Sequence, residues 1–172
     1  MSEVSTSEEE QLHSIVHVDR YLTLFLEDEQ YGLDIKMVKE IIAMMRTTAV
    51  PKTPNFLEGV MNLRGNIIPV VNLRKKFSME ERKTDERTAI VIVGIQGNDI
   101  GFIVDRVEEV IAVEESQYSE APQFGTKVDT EFVSRMARVE SGVTMILDLD
   151  KVFSEEELNF FDSLDEEEES LI

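Results

Sequence analysis

Few residues of this chain have the type and spacing that catalysis or metal binding requires. His13 and His17 stand four apart, so on a helix they would share a face, with Glu9 or Glu10 beside them as a third metal ligand. They lie in a polar, acidic segment with no apolar shell to hold them, which reads as solvated chain. Asp148-Leu149-Asp150 would place two carboxylates on one strand face, ~6.5–7 Å apart by strand rise, a spacing a glycosidase could use. No aromatic sugar platform accompanies them and Trp is absent, so they read as a solvated strand end. No G-x-S-x-G, P-loop or H-E-x-x-H occurs, and Gly94, Gly97 and Gly101 are wrongly spaced for a dinucleotide loop. Zero Cys removes thiolate nucleophiles, disulfides and Cys-ligated zinc. The expectation is a binding protein with no catalytic residue, no metal and no cofactor.

The charge narrows the partners. The 172 residues carry 17 Lys and Arg against 36 Asp and Glu, a net of −19. Nucleic acid and an anionic membrane surface both demand the opposite sign. Residues 1–10 hold four acids and residues 154–172 nine, with no base in either stretch. The two ends therefore supply thirteen of the nineteen excess charges, and residues 11–153 carry a net of only −6. The ends, 1–18 and 165–172, read as acidic flexible tails. The N-terminus lacks the basic and apolar regions of a signal peptide, and no apolar run is long enough to cross a membrane. Together with the missing Cys, this fits a cytoplasmic protein.

The elements between the tails are mostly strands. Residues 21–26 and 31–35 read as strand, turn, strand, and so do 89–95 and 100–104, with Gly97-Asn98-Asp99 supplying the hairpin chemistry. The second hairpin repeats the first. A shift of 69 lays residues 31–44 on 100–113 with five identities in fourteen: Gly32, Val38, Glu40, Ile42 and Ala43 match Gly101, Val107, Glu109, Ile111 and Ala112. A shift of 76 lays Phe56 on Phe132, Ile67-Ile68 on Val143-Thr144, Leu73 on Leu149 and Phe77-Ser78 on Phe153-Ser154. The second copy thus carries seven extra residues, around 114–130. The repeat predicts a tandem duplication of an all-β unit of about five strands, over about 20–83 and 87–153, each forming a small SH3-like barrel. Units this small sit near the lower limit for an independent core, so the two should share one within a domain spanning 19–153. After it, Ser154 and Glu157 form a capping box, with Phe153 and Leu158 as the hydrophobic staple. Leu158, Phe161 and Leu164 follow on one face of a helix over 154–164.

The densest special residues lie in 51–74. Pro51 and Pro54 bracket an extended entry, and Gly59 and Gly65 flank a strand. Asn62-Leu63-Arg64-Gly65-Asn66 turns back, and Pro69 suggests an edge strand. Turn chemistry explains Gly65 but not Arg64, which is placed to fork onto a carboxylate of a partner or of the chain itself.

Val38-Lys39-Glu40-Ile41, Pro51-x-x-Pro54, the run Gly59-Val60-Met61-Asn62-Leu63-Arg64-Gly65-x-Ile67-Ile68-Pro69-Val70, and Val104-Asp105-x-Val107 resemble the CheW-type chemotaxis coupling proteins over about 20–153. Asn72 departs from that pattern, which has Asp there and a local hydrogen bond with it. The resemblance implies two tandem, packed, intertwined five-stranded barrels with a core between them and a short C-terminal helix. It also implies a non-enzymatic adaptor at membrane-associated receptor arrays, binding the cytoplasmic tip of methyl-accepting chemotaxis receptors and the regulatory domain of the histidine kinase CheA. Carried over by position, a receptor groove would use Ile35, Val38, Glu40, Arg64, Val107 and Val110. A kinase contact at the barrel ends would use Thr48, Gly59, Ile67 and Phe124. Two rival readings remain: a peptide-binding β-barrel of another signalling system, and an enzyme built on small barrels around Asp148 and Asp150.

Overall fold

The computed structural model describes residues 17–121 and 130–170, with the side chains of 130 and 165–170 excepted. His13, Phe124 and the acidic N-terminal segment lie outside the described residues.

Eleven strands form among the described residues. The first repeat contributes β1 (Asp19–Leu26), β2 (Glu29–Asp34), β3 (Val38–Ala43), β4 (Leu57–Leu63) and β5 (Asn66–Asn72), then the one-turn helix α1 (Leu73–Lys76). The second contributes β6 (Ala89–Ile95), β7 (Asn98–Val104), β8 (Arg106–Val113), β9 (Tyr118–Glu120), β10 (Val133–Val139) and β11 (Gly142–Leu147), then α2 (Leu149–Val152). The longer helix α3 (Glu155–Ser170) is the last element of the described residues. The repeat shifts carry over into the elements. Adding 76 to the bounds of β4 and α1 lands on those of β10 and α2. The Asn72 N–H donates to the Phe56 carbonyl at 2.8 Å, and its counterpart Asp148 donates to Phe132 at the same distance.

The strands do not assort by repeat: neither sheet is built from 20–83 or from 87–153 alone. One sheet runs β8-β1-β2-β11-β10-β9 and the other β3-β6-β7-β5-β4. Each repeat therefore keeps its first hairpin in one sheet and sends its remaining strands to the other. The exchange is reciprocal: β5 runs parallel to β7, and β11 parallel to β2. Short antiparallel connections cannot produce these parallel pairs, so the crossing from one sheet to the other must. Both sheets close on themselves in the same way. Past β3, Thr48 exchanges two backbone hydrogen bonds with Val60 of β4, at 2.8 and 2.9 Å. Past β8, Ser119 of β9 pairs with Met136 of β10, the position 76 residues after Val60.

The main core lies between the sheets. Leu22, Leu24, Leu26, Tyr31 and Leu33 meet Val71, Val91, Val93, Phe102 and Val104 there. Two smaller clusters fill the sheets' other faces: Met61, Ile68, Val70, Ile90, Ile92 and Ile103 in one, and Tyr21, Val113, Ala137 and Ile146 in the other. Helix α3 joins the main core through buried Leu158, Phe161 and Leu164. Its capping box is present: Glu157 N–H donates to Ser154 Oγ at 3.1 Å, and Ser154 N–H to Glu157 Oε1 at 2.9 Å. The helix continues to Ser170 rather than ending near 164, because Glu is a good helix former and prolonging the ladder needs no apolar partner. Lys76 pins its first turn, with Nζ 3.3 Å from Glu157 and over the rings of Phe56, Phe132 and Phe153.

Two local expectations also change. Pro69 is not on an edge strand, since β5 lies between β4 and β7. It is tolerated because the β7 ladder begins only at Val70, so its missing N–H removes no rung. Asp148 and Asp150 do not share a strand face. Asp148 caps α2, accepting the Asp150 N–H at 3.2 Å, because a short acceptor side chain there satisfies an orphan helix amide.

Candidate partner-binding surface

Strands β3 and β8 hold most of the expected groove residues, each along one rim of its sheet. Their registers correspond. Val38 lies opposite Val93 and Ile41 opposite Val91, while Val107 lies opposite Leu24 and Val110 opposite Leu22. Directly opposed residues share a face, and Val91, Val93, Leu22 and Leu24 all belong to the core between the sheets. The apolar face of that core therefore runs out along both rims into side chains that water reaches. Val38 and Val107 are half-buried against it, as is Ile35 in the 3-10 turn Ile35–Met37 that leads into β3. Ile41 is 45% exposed and Val110 50%.

Ile41 was not among the expected groove residues, although the signal was available. It is the repeat counterpart of Val110, 69 residues earlier, and the two are the large exposed hydrophobics of these rims. A pair of symmetry-related apolar side chains left in water is the kind of feature that marks a contact surface.

Arg64 finds its carboxylate within the chain. The β4–β5 hairpin turns on Arg64 and Gly65, both at positive φ (52° and 87°), the signature of a type I′ turn. That turn aims the guanidinium at Glu40 of β3, where Nη1 donates to Oε1 at 3.1 Å and Nη2 to Oε2. Strands β3 and β4 stand at opposite ends of the sheet order, so this fork is possible only because the sheet curls round. The pair sets one cation and one carboxylate beside the apolar rim; the second repeat has Glu109 and Glu140 instead.

The other expected residues sit elsewhere. Thr48 is exposed and Gly59 buried directly against it. Ile67 is half-buried at the far end of the same hairpin, paired with Asn62. With Pro69, Asp99, Lys39 and Phe161 of α3 it lines a cleft of about 260 Å³. Thr48 and Gly59 thus come together, Ile67 lies apart from them along β4 and β5, and Phe124 is outside the described residues. Asn72 still makes local hydrogen bonds, accepting the Lys75 N–H at 3.3 Å and donating to Glu58 at 3.3 Å.

Comparison with known proteins places this architecture. The CheW-like domain family matches residues 20–157. The chain belongs to that family. It is 34% identical to the chemotaxis protein CheW of Treponema pallidum over 141 residues, covering 80% of this chain and 83% of the relative. The CheW of Klebsiella aerogenes is 32% identical over 144 residues, covering 84% and 87%. A crystal structure of the scaffolding protein TtCheW from Thermoanaerobacter tengcongensis superposes with a TM-score of 0.74 at 38% identity, covering 80% of this chain and 93% of that one. The chain is accordingly a chemotaxis scaffold with the CheW-like fold. No helix among its described residues is long and apolar enough to cross a membrane.

Asp105 is a firmly anchored charge of this CheW-like domain. Arg74 forks onto it, Nε to Oδ1 at 2.7 Å and Nη2 to Oδ2 at 2.5 Å, and the Glu27 N–H adds a bond of 2.8 Å. Burial pushes the Asp105 carboxyl up, but the Arg74 fork, the Glu27 amide and the charges of Arg74 and Arg82 outweigh it and hold the group below the usual carboxylate range. The folded state therefore binds this proton less readily than the unfolded chain. The stabilisation is complete above the unfolded value and is lost as pH falls through the lower folded one. Denaturant unfolding between about pH 5 and pH 2 will show a steeper loss of stability for the natural chain than for Asp105→Asn. Equal slopes would mean that Asp105 does not contribute.

Proposed function

We propose that this protein couples methyl-accepting chemoreceptors to the histidine kinase CheA. It holds the cytoplasmic receptor tip along the β3 and β8 rims and binds the kinase regulatory domain elsewhere, with no turnover of its own. The observation that carries the reading is the matched pair of apolar rims, Val38 and Ile41 against Val107 and Val110. An amphipathic helix presents apolar side chains every three or four residues and can lay that stripe along such a surface. Arg64 and Glu40 supply polar selectivity at one end. Kinase binding is assigned to Thr48, Gly59, Ile67 and Phe124, by the family resemblance alone. Association with the membrane then comes through the receptor.

Val110→Asp is the sharpest test, because its half-exposed side chain can be replaced without emptying the core. A charge on the rim must be desolvated when an apolar stripe covers it, a cost of about 1–3 kcal/mol, or roughly 5- to 150-fold in affinity. Titration should show that loss against a receptor-tip fragment and less than a twofold change against the CheA regulatory domain. Phe124→Ala should show the reverse order. Equal losses in both titrations for both folded variants would sink the two-surface reading.

A further inference from the structure

The chain passes from the five-stranded sheet to the six-stranded sheet at one residue. Strand β7 ends at Val104 and β8 begins at Arg106, so Asp105 alone makes the crossing. Its backbone and side chain are both tied. The Asp105 N–H donates to the Phe25 carbonyl at 3.2 Å, and the carboxylate takes the Arg74 fork and the Glu27 amide. Phe25 and Glu27 belong to the β1–β2 hairpin of the sheet being entered, whereas Arg74 belongs to α1, which packs on β5 and β7 of the sheet being left. Arg74 is itself held: its side chain is 8% exposed, and Nη1 donates to the Glu80 carbonyl at 2.8 Å. Its other acid neighbour is Glu27, at 3.5 Å. A bidentate pair fixes both distance and angle, so it determines where β8 starts and which way it points.

The equivalent crossing in the first repeat has no such device. There β2 passes to β3 through the 3-10 turn Ile35–Met37. The counterparts of Asp105 and Arg74 are Lys36 and Asp150, opposite in sign, both exposed and not bonded to each other. One rim of the apolar surface is thus set by a largely buried ion pair that ties the two sheets, and the other by a 3-10 turn capped only locally, by the exposed Asp34 carboxylate accepting the Lys36 N–H at 3.0 Å. Val107 and Val110 stand two and five residues beyond Asp105, well within the reach of a change in its angle.

We infer that the Arg74–Asp105 fork is the positioning element of the β8 rim, holding Val107 and Val110 in the register that receptor binding requires. This inference rests on the groove reading proposed above. Asp105→Asn keeps size and Arg74→Gln keeps a polar, shorter side chain, each removing the charge-assisted fork, and Arg74→Lys keeps charge while removing the bidentate geometry. Amide and methyl NMR of the uniformly labelled full chain reads the β8 rim without any receptor. All three variants should shift the Val107 and Val110 resonances while leaving those of Val38 and Ile41 in place. Receptor-fragment affinity should fall roughly tenfold in each, with kinase-domain affinity unchanged within about twofold, and the Arg74→Gln/Asp105→Asn double variant should be no worse than either single one. Unmoved β8 resonances, an additive double variant, or equal losses for both partners would overturn the inference. If Arg74→Gln or Asp105→Asn unfolds the chain, Arg74→Lys alone decides through the same two readouts. Failure of the groove reading looks different: Val110→Asp would then leave receptor binding intact while the resonance shifts still report on the fork.

Discussion

Residues 11–84 and 85–165, produced as separate chains, will each fail to fold, and mixing them will restore one cooperative transition. Size alone points this way, because units of this length bury too little apolar surface to offset their conformational entropy. The strand exchange makes the outcome stronger. Alone, the first half would hold β1 and β2 without β8 or β11, and β3 without β6; its β4–β5 hairpin would lack β7. The first half would keep only hairpins, and the second one hairpin and the short three-stranded run β9-β10-β11 without the opposing wall of the core; isolated pieces of this kind are marginal in water. The shared core would lose one wall. Amide dispersion and thermal melting of each half, and then of the mixture, provide the measurement. A half with dispersed resonances and its own melting transition would contradict the shared core.

Gly59→Ala will be among the most damaging single methyl additions in this chain. Gly59 sits in β4 at φ +143°, a conformation that side chains rarely adopt. A Cβ built there would lie 2.2 Å from the Thr48 carbonyl oxygen and 2.7 Å from its carbon. Those atoms belong to the backbone bridge with Val60 that closes the sheet, so they cannot move aside without breaking it. A loss of at least ~3 kcal/mol is expected, the range of strain combined with overpacking, or roughly a 10 °C fall in Tm for a domain of this size. Gly65→Ala is the control. Gly65 also has positive φ, at 87°, but nothing lies within 4 Å of the added methyl, so only about 1 kcal/mol should be lost. Equal melting temperatures for the two variants would show that the close approach to Thr48 is not the cause. The same result bears on function. If a contact with Gly59 is lost on substitution, the closing bridge must first be shown intact before the loss is assigned to a kinase surface.

Strands, turns and the final helix were legible in the sequence because each depends on neighbours a few residues away. The alternation of apolar residues marked β1, β2, β6 and β7. The repeat marked β3 with β8 and β4–β5 with β10–β11, and Ser154 with Glu157 marked the start of α3; β9 was missed, because it lies in the stretch around 114–130 that the repeat read as extra loop. Arg64 was also legible as a guanidinium in need of a carboxylate, since turn chemistry left it unexplained. Pairing was not legible, because it joins residues far apart in the chain through backbone groups that every residue shares. The reciprocal exchange of hairpins, the single-residue crossing at Asp105 and the closure of each sheet past Thr48 and at Ser119 were decided only in the tertiary structure. So was the choice of Glu40, 24 residues away, as the partner of Arg64. Ile41 shows where the boundary falls: its sequence marks it as an apolar residue of a strand, and only the packing of two sheets leaves it in water beside the core.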